Sequence, residues 1–200
     1  MADILYRYKD SVYLNITNRC PCRCEFCIRT TSDTVGDARD LWLHGDPSLE
    51  QIIAAVDAYD FENTRNVVFC GYGEPTCALD NLIATAKYIR EKYGFHIRVN
   101  TNGLSDLING RPTAKALCEA VDAVSISLNT CTKEKYNAVV HPKFGEKSFD
   151  ALLAFAKACK QNLDDVTLTV VDVIPAADID ACKRLAEQVG VPLRVRTYSK

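Results

Sequence analysis

β-rich and helical segments alternate strictly from one end of this chain to the other, and few folds accommodate that order. SVYLNIT (11–17) alternates apolar and polar residues at the two-residue period of a strand. DPSLEQIIAAVDAY (46–59) then carries apolar residues at helical spacing, with Ser48 and Gln51 placed as a capping box. Strand patterns recur at VVFC (67–70), HIRVN (96–100), AVSISLN (123–129), VTLTVVDVI (166–174) and PLRVRTY (192–198). Helical patterns fall between them at 79–94, closed by Gly94, and at 113–120, 148–162 and 178–189. Such alternation predicts parallel strands joined by right-handed crossovers. A closed eight-unit barrel takes about 250 residues. Six units in 200 residues therefore predict an α/β fold, a partial (βα)6 TIM-like barrel with parallel strands, open on one side. No repeat or linker divides the sequence, so residues 1–200 are expected to form a single core domain. The one long irregular connection is TTSDTVGDARDLWLHG (30–45).

Parallel strands covered on both faces usually read as continuous apolar runs. Here Val12, Leu14 and Ile16 alternate with Tyr13, Asn15 and Thr17, and Ile97 and Val99 with His96, Arg98 and Asn100. Val124, Ile126 and Leu128 likewise alternate with Ser125, Ser127 and Asn129, Val166, Leu168 and Val170 with Thr167, Thr169 and Val171, and Leu193 and Val195 with Arg194, Arg196 and Tyr198. The apolar set is expected to face the helices and the polar set to line the interior. Hydroxyls, amides and guanidiniums buried there need partners, and a polar ligand with water supplies them.

A net charge of -2 and a pI near 5.9 give no basic excess, so nucleic acid is not favoured as a partner. MADILYRYKD lacks the apolar core of a signal peptide, and no apolar run is long enough to cross a bilayer, so a cytoplasmic, membrane-free protein is expected. Ten cysteines in such a compartment are not a disulfide framework. Most are scattered singly and are expected as small buried hydrophobes.

The exception is CPCRCEFC (20–27), directly after the first strand, where α/β proteins place their chemistry. Cys20, Cys24 and Cys27 are spaced C-x3-C-x2-C. A structural zinc site wants four closed ligands, and no second CxxC-like pair exists. A thiol redox pair at Cys24 and Cys27 would leave Cys20 unexplained. An iron-sulfur cubane is the better match, because three thiolates leave its fourth iron open to substrate or cofactor. A non-catalytic zinc-binding or thiol-redox module stands as the alternative. Cys22 is left without a role, and its loop position predicts that it lies near solvent.

These residues resemble the radical S-adenosylmethionine (SAM) superfamily. The match joins C-x3-C-x2-C with the aromatic Phe26 before its last cysteine, GYGEPT (71–76) after the second strand, NTNG (100–103) ending the third, and SISLN (125–129) as the fourth. LNITNRCPCRCEFCIR and the short length look most like the TatD-associated radical SAM proteins. The resemblance implies a 4Fe-4S cluster on Cys20, Cys24 and Cys27, with SAM chelating the open iron. It implies reductive cleavage of SAM to methionine and a 5′-deoxyadenosyl radical that abstracts hydrogen from a substrate. Electrons would come from a one-electron donor such as flavodoxin or ferredoxin.

Gly71 and Gly73 are expected to permit close backbone approach and unusual dihedrals, Tyr72 belongs to the same turn, and Glu74 supplies a carboxylate for the SAM ammonium. Asn100, Ser127 and Asn129 fall where the family binds ribose hydroxyls and the SAM carboxylate. Phe26 and Val171 fall where relatives place adenine contacts, with Tyr198 as a further contributor. His44, Arg29, Arg194 and Arg196 are candidate substrate contacts. The sequence does not identify the substrate, whether small molecule, peptide or protein, nor any catalytic residue beyond the cofactor sites.

Overall fold

The computed structural model describes residues 3–31 and 34–197; Tyr198 lies outside the described residues. Seven strands form one open sheet in sequential order: β1 (Leu5–Tyr8), β2 (Ser11–Leu14), β3 (Asn66–Phe69), β4 (His96–Thr101), β5 (Ala123–Ser127), β6 (Val166–Val171) and β7 (Leu193–Arg196). Strands β2 to β7 are all parallel, which makes the six expected strands of an open α/β half-barrel. The seventh, β1, runs antiparallel to β2 with Tyr6 opposite Tyr13 and Tyr8 opposite Ser11. LYRY followed by Lys-Asp gives a weak hairpin signal; Lys9 nevertheless takes the left-handed conformation (φ 58°) that the two-residue turn requires.

The crossovers carry α2 (Leu49–Ala58), α3 (Leu79–Tyr93), α5 (Ala114–Ala120), α7 (Lys147–Lys160) and α8 (Ala176–Val189), with the shorter α1 (Ile28–Thr31), α4 (Ser105–Asn109) and α6 (Lys133–Val140) between them. The capping box at Ser48 and Gln51 is formed, and Gly94 closes α3 in the left-handed conformation (φ 70°). Of these helices, α6 has the faintest sequence signal: its eight residues KEKYNAVV bury little beyond Tyr136 and Val140.

The alternation sorts the two faces as expected in β2 to β6. Val12, Leu14, Val67, Phe69, Ile97, Val99, Val124, Ile126, Leu168 and Val170 are all at or near zero exposure and form one core with the helices. Strand β7 departs from it. Val195 is 41% exposed and Leu193 only half-buried, because β7 is the last strand of an open sheet. Two strands also end earlier than their sequence patterns. β6 stops at Val171, ahead of the turn into Pro175, which caps α8. β5 stops at Ser127, and Asn129 adopts φ 65°, so its side-chain direction no longer follows from the alternation.

The connection from Thr34 to Gly45 does not wander free. Leu41 and Ala38 pack with Tyr6 and Tyr72 in a second apolar cluster, and Trp42 meets Tyr72 edge-on at 5.1 Å. Tyr6 and Tyr13 share the interior face of the sheet, at 5.3 Å between rings, so this segment covers the β1–β2 end of that face. Among the described residues no helix is long and apolar enough to cross a membrane.

Candidate metal and cofactor site

The chain leaves β2 at Leu14 as an extended segment in which each polar side chain is tied down. Asn15, fully buried, donates to the carbonyls of Leu41 (2.9 Å) and Asp3 (3.3 Å) and accepts from the Tyr72 backbone N–H (3.3 Å). Thr17 donates to Asp46 (2.7 Å), and Asn18 exchanges two hydrogen bonds with the backbone of Leu43. The Arg19 guanidinium joins Asp46 (2.6 Å) to the Cys77 carbonyl (2.7 Å). The root of the cysteine loop is thereby fixed to the 34–46 connection and to the turn after β3.

The loop itself docks on the end of α6. The N–H groups of Arg23 and Glu25, on either side of Cys24, donate to the carbonyls of Val140 and Val139 (both 3.0 Å), and Lys143 N–H returns to the Pro21 carbonyl (2.8 Å). The last carbonyls of a helix lack partners within it, so the loop satisfies them while they set its path. α1 begins directly after Cys27, whose N–H and carbonyl bond to the Cys24 carbonyl and the Thr30 N–H.

Within the loop the thiols are not equivalent. Cys22 is 2% exposed and belongs to the main core, against the expectation of a near-solvent position. The loop folds over it, and Asn102, in the turn after β4, donates its amide to Cys22 Sγ at 3.6 Å. The Cys22 thiol beside those of Cys20 and Cys24 holds both below the usual thiol range, while its own is pushed up. Arg29 lowers Cys20 and Cys24 further. The thiolate is the form that ligates metal. Among the described residues no three His, Cys, Asp or Glu side chains already surround one metal position. The donor chemistry nonetheless fits a soft metal centre: three cysteines on one pinned loop, two of them biased toward thiolate, with the order of ligands completed by metal binding itself.

GYGEPT lies against this loop. A Cβ on Gly71 would fall within 2.7 Å of Asn15 Cβ, and one on Gly73 would strike the Thr17 carbonyl, 2.7 Å from its carbon and 2.8 Å from Arg19 O. The close approach expected of these glycines is therefore present, and its partner is the strand leading into the cysteines. Neither glycine has positive φ, so unusual dihedrals are not the reason for them. The Tyr72 ring points into the cluster with Leu41 and Tyr6.

Glu74 is 3% exposed and gathers four donors: Thr76 N–H (3.1 Å), Thr76 Oγ1 (2.8 Å) and Thr101 Oγ1 (2.7 Å) on Oε1, and Asn102 N–H (2.7 Å) on Oε2. Burial pushes its carboxyl up while these donors pull it down. A carboxylate has about four acceptor positions, so little besides one lone pair on Oε2 is left for a further cation. Glu74 thus ties the turn after β3 to the turn after β4. Thr101, Asn102, Asp46 and α6 are the parts of this site that sequence reasoning passes over. NTNG alone carried a signal for two of them.

Two amide side chains at the ends of β4 and β5 are incompletely satisfied. Asn100 Oδ1 and Asn129 Oδ1 are inaccessible to solvent and have no hydrogen-bond partner, and Asn129 as a whole is 5% exposed. Ser127 and Phe26 are half-buried, Val171 is 9% exposed, and His44 is exposed on the 34–45 connection. Arg29 donates to the Asn18 carbonyl (3.2 Å) and lies over the Trp42 ring (6.0 Å).

A family model described as the Radical SAM superfamily matches residues 14–189. Two proteins named probable dual-specificity RNA methyltransferase RlmN are similar in sequence. That of Pseudothermotoga lettingae is 27% identical over 146 residues, covering 72% of this chain and 40% of the relative. That of Clostridium botulinum is 30% identical over 167 residues, covering 80% of this chain and 44% of the relative. The chain thus spans less than half the length of these relatives. Among solved structures, a radical SAM methyltransferase from Sphaerobacter thermophilus aligns over 98% of this chain and 69% of its own (TM-score 0.68, 17% identity). Methylornithine synthase (PylB) aligns over 94% and 52% (TM-score 0.64, 14% identity), and anSMEcpe with bound AdoMet over 92% and 50% (TM-score 0.62, 17% identity). These likenesses are of fold.

Proposed function

The chain belongs to the radical SAM superfamily, whose members use a 4Fe-4S cluster and SAM, and from that premise we propose that residues 1–200 are a single core domain that performs reductive SAM cleavage on behalf of a bound substrate. Cys20, Cys24 and Cys27 hold the cluster, and Gly71, Tyr72, Gly73, Glu74, Asn100, Ser127, Asn129, Phe26 and Val171 bound the SAM site. When bound, cluster and SAM together supply a 5′-deoxyadenosyl radical for hydrogen abstraction. The protein's part is to fix and shield them. α6 and the Glu74 network hold the cysteine loop against the strand ends, Asn100 and Asn129 present acceptors to ribose hydroxyls, and Phe26 and Val171 give an apolar surface to adenine.

The observation that carries this reading is the pair of orphaned acceptors, Asn100 Oδ1 near the end of β4 and Asn129 Oδ1 just beyond β5. A buried amide oxygen without a donor is destabilising by about 1–3 kcal/mol. A hydroxyl-rich ligand that reaches both would satisfy them.

The setting we propose is cytoplasmic, with flavodoxin or ferredoxin as electron donor and TatD association as the subfamily. The acidic balance of the chain speaks against nucleic acid, and the RNA methyltransferase names of its relatives speak for it. Anaerobic reconstitution with iron and sulfide, followed by dithionite and SAM, is expected to give 5′-deoxyadenosine and methionine by mass spectrometry, and C24A to abolish both. Protein that stays colourless and retains zinc would instead establish the non-catalytic zinc or thiol module.

A further inference from the structure

The interior face holds more positive charge than the SAM reading employs. Arg98 on β4 and Arg194 on β7 both project from it, and neither has a carboxylate within ion-pair distance among the described residues. Arg98 lies beside the Tyr13 phenol on β2, and its Nε is shut off from solvent without a partner. Arg194 reaches back over β6 to Ser125 Oγ on β5 (3.3 Å). Ser125 pairs in register with Asn100, two residues beyond Arg98, so the two guanidiniums approach one stretch of the face from its opposite sides. Arg194 stands on the exposed edge strand; partial desolvation, with Arg98 and then Arg196 nearby, still pulls it below its ordinary value, and Asp165 offsets this only in part. The buried carboxylate of Glu74 is already spent on four donors.

Guanidiniums that share one face and have only neutral phenol and hydroxyl neighbours are stabilised by an oxyanion placed between them, which their planar forks can bind in bidentate geometry. We propose that Arg98 and Arg194 form a subsite for a phosphate or carboxylate group of the substrate, on the interior face below the SAM site. The assignment rests on the reading of that face as the reaction chamber. It makes the substrate anionic, and it places the anion toward the open β7 side, by which a substrate enters.

Calorimetric titration of the anaerobically reconstituted protein with inorganic phosphate, and separately with succinate, tests this at constant ionic strength. One saturable site is expected for at least one probe; phosphate alone identifies a phosphoryl group and succinate alone a carboxylate. R98Q and R194Q are each expected to weaken binding about tenfold, the effect of losing one charged hydrogen-bonding partner. R65Q, at an exposed arginine paired with Asp10, is expected to change nothing. Should R98Q fail to fold by circular dichroism, R194Q on the exposed edge strand decides alone. Absence of saturable binding, equal affinity in R194Q, or loss of the anion site when SAM is added would each overturn the proposal, the last by showing that the arginines hold the SAM carboxylate. Binding is read without turnover, so protein that binds the anion but cleaves no SAM keeps the subsite and defeats the enzymatic reading.

Discussion

Gly73→Ala separates two reasons for which a chain uses glycine. At Gly73 φ is not positive, so alanine meets no backbone strain there. What it meets is the Thr17 carbonyl, with the carbonyl carbon at 2.7 Å and Arg19 O at 2.8 Å from the new methyl group. All three are backbone atoms of the segment that enters the cysteine loop, and Thr17 and Arg19 are both locked to Asp46. Neither side can give way through a rotamer change. Overpacking of this kind is destabilising by about 1–3 kcal/mol. The Glu74 N–H to Arg19 O hydrogen bond (2.8 Å) is pushed apart with it, adding roughly 1 kcal/mol. A total of about 2–4 kcal/mol corresponds to a fall in Tm of roughly 5–10 °C for a chain of this size. Urea unfolding of the wild type and G73A measures it, and iron content after reconstitution tests whether the displaced loop still loads. Gly94→Ala is the control: its φ is 70° and its Cβ position is open, so it costs only the left-handed strain of about 1 kcal/mol and leaves iron content unchanged. A G73A variant as stable as the wild type, or one less damaged than G94A, would refute the steric reasoning.

Glu74→Gln is expected to destabilise by about 2–4 kcal/mol, because Thr76 N–H and Asn102 N–H bond to different carboxylate oxygens and the new amide NH2 must face one of them in either orientation. Urea unfolding decides, and a change under ~0.5 kcal/mol would mean that the network does not hold the two turns together. At Cys77, burial and the neighbouring Glu74 push the thiol up to about 12. Only roughly one part in 10⁴ is then thiolate at pH 8, so iodoacetamide should label Cys77 about three orders of magnitude more slowly than a free thiol, with a rate that rises tenfold per pH unit toward that value. Labelling at a free-thiol rate, followed by peptide mass spectrometry, would show that this cysteine is not held beside the carboxylate.

The architecture was legible because β2 to β6 each bury one face against helices, which forces a two-residue period on their side chains. Where that force is missing, the pattern misleads. β7 alternates as faithfully as the others, yet Val195 stands exposed at the edge of the sheet. β1 is hard to read because a Lys-Asp turn gives only a weak hairpin signal, and α6 because its burial is slight. The cysteine spacing, GYGE and NTNG were readable as local motifs. The way they join was not. Asn102 reaches Cys22 across 80 positions of sequence, and Asp46 reaches Thr17 and Arg19 across 29 and 27. Such contacts follow from the folded position of the turns, and no local period encodes them.

That same connectivity explains why motif residues here serve one another before they serve any ligand. Glu74 receives the Asn102 N–H through its carboxylate and gives its own N–H to Arg19 O, one residue before Cys20. Asn102 in turn donates its side chain to Cys22, between Cys20 and Cys24. The turn after β3, the turn after β4 and the cysteine loop therefore close a ring of hydrogen bonds around the strand ends. The links are part-buried and run through packed backbone, so a shift in one is transmitted to the others rather than absorbed. A loop of four cysteines on its own would sample many arrangements. Held in this ring and against α6, it keeps Cys22 in the core and leaves Cys20 and Cys24 half-buried.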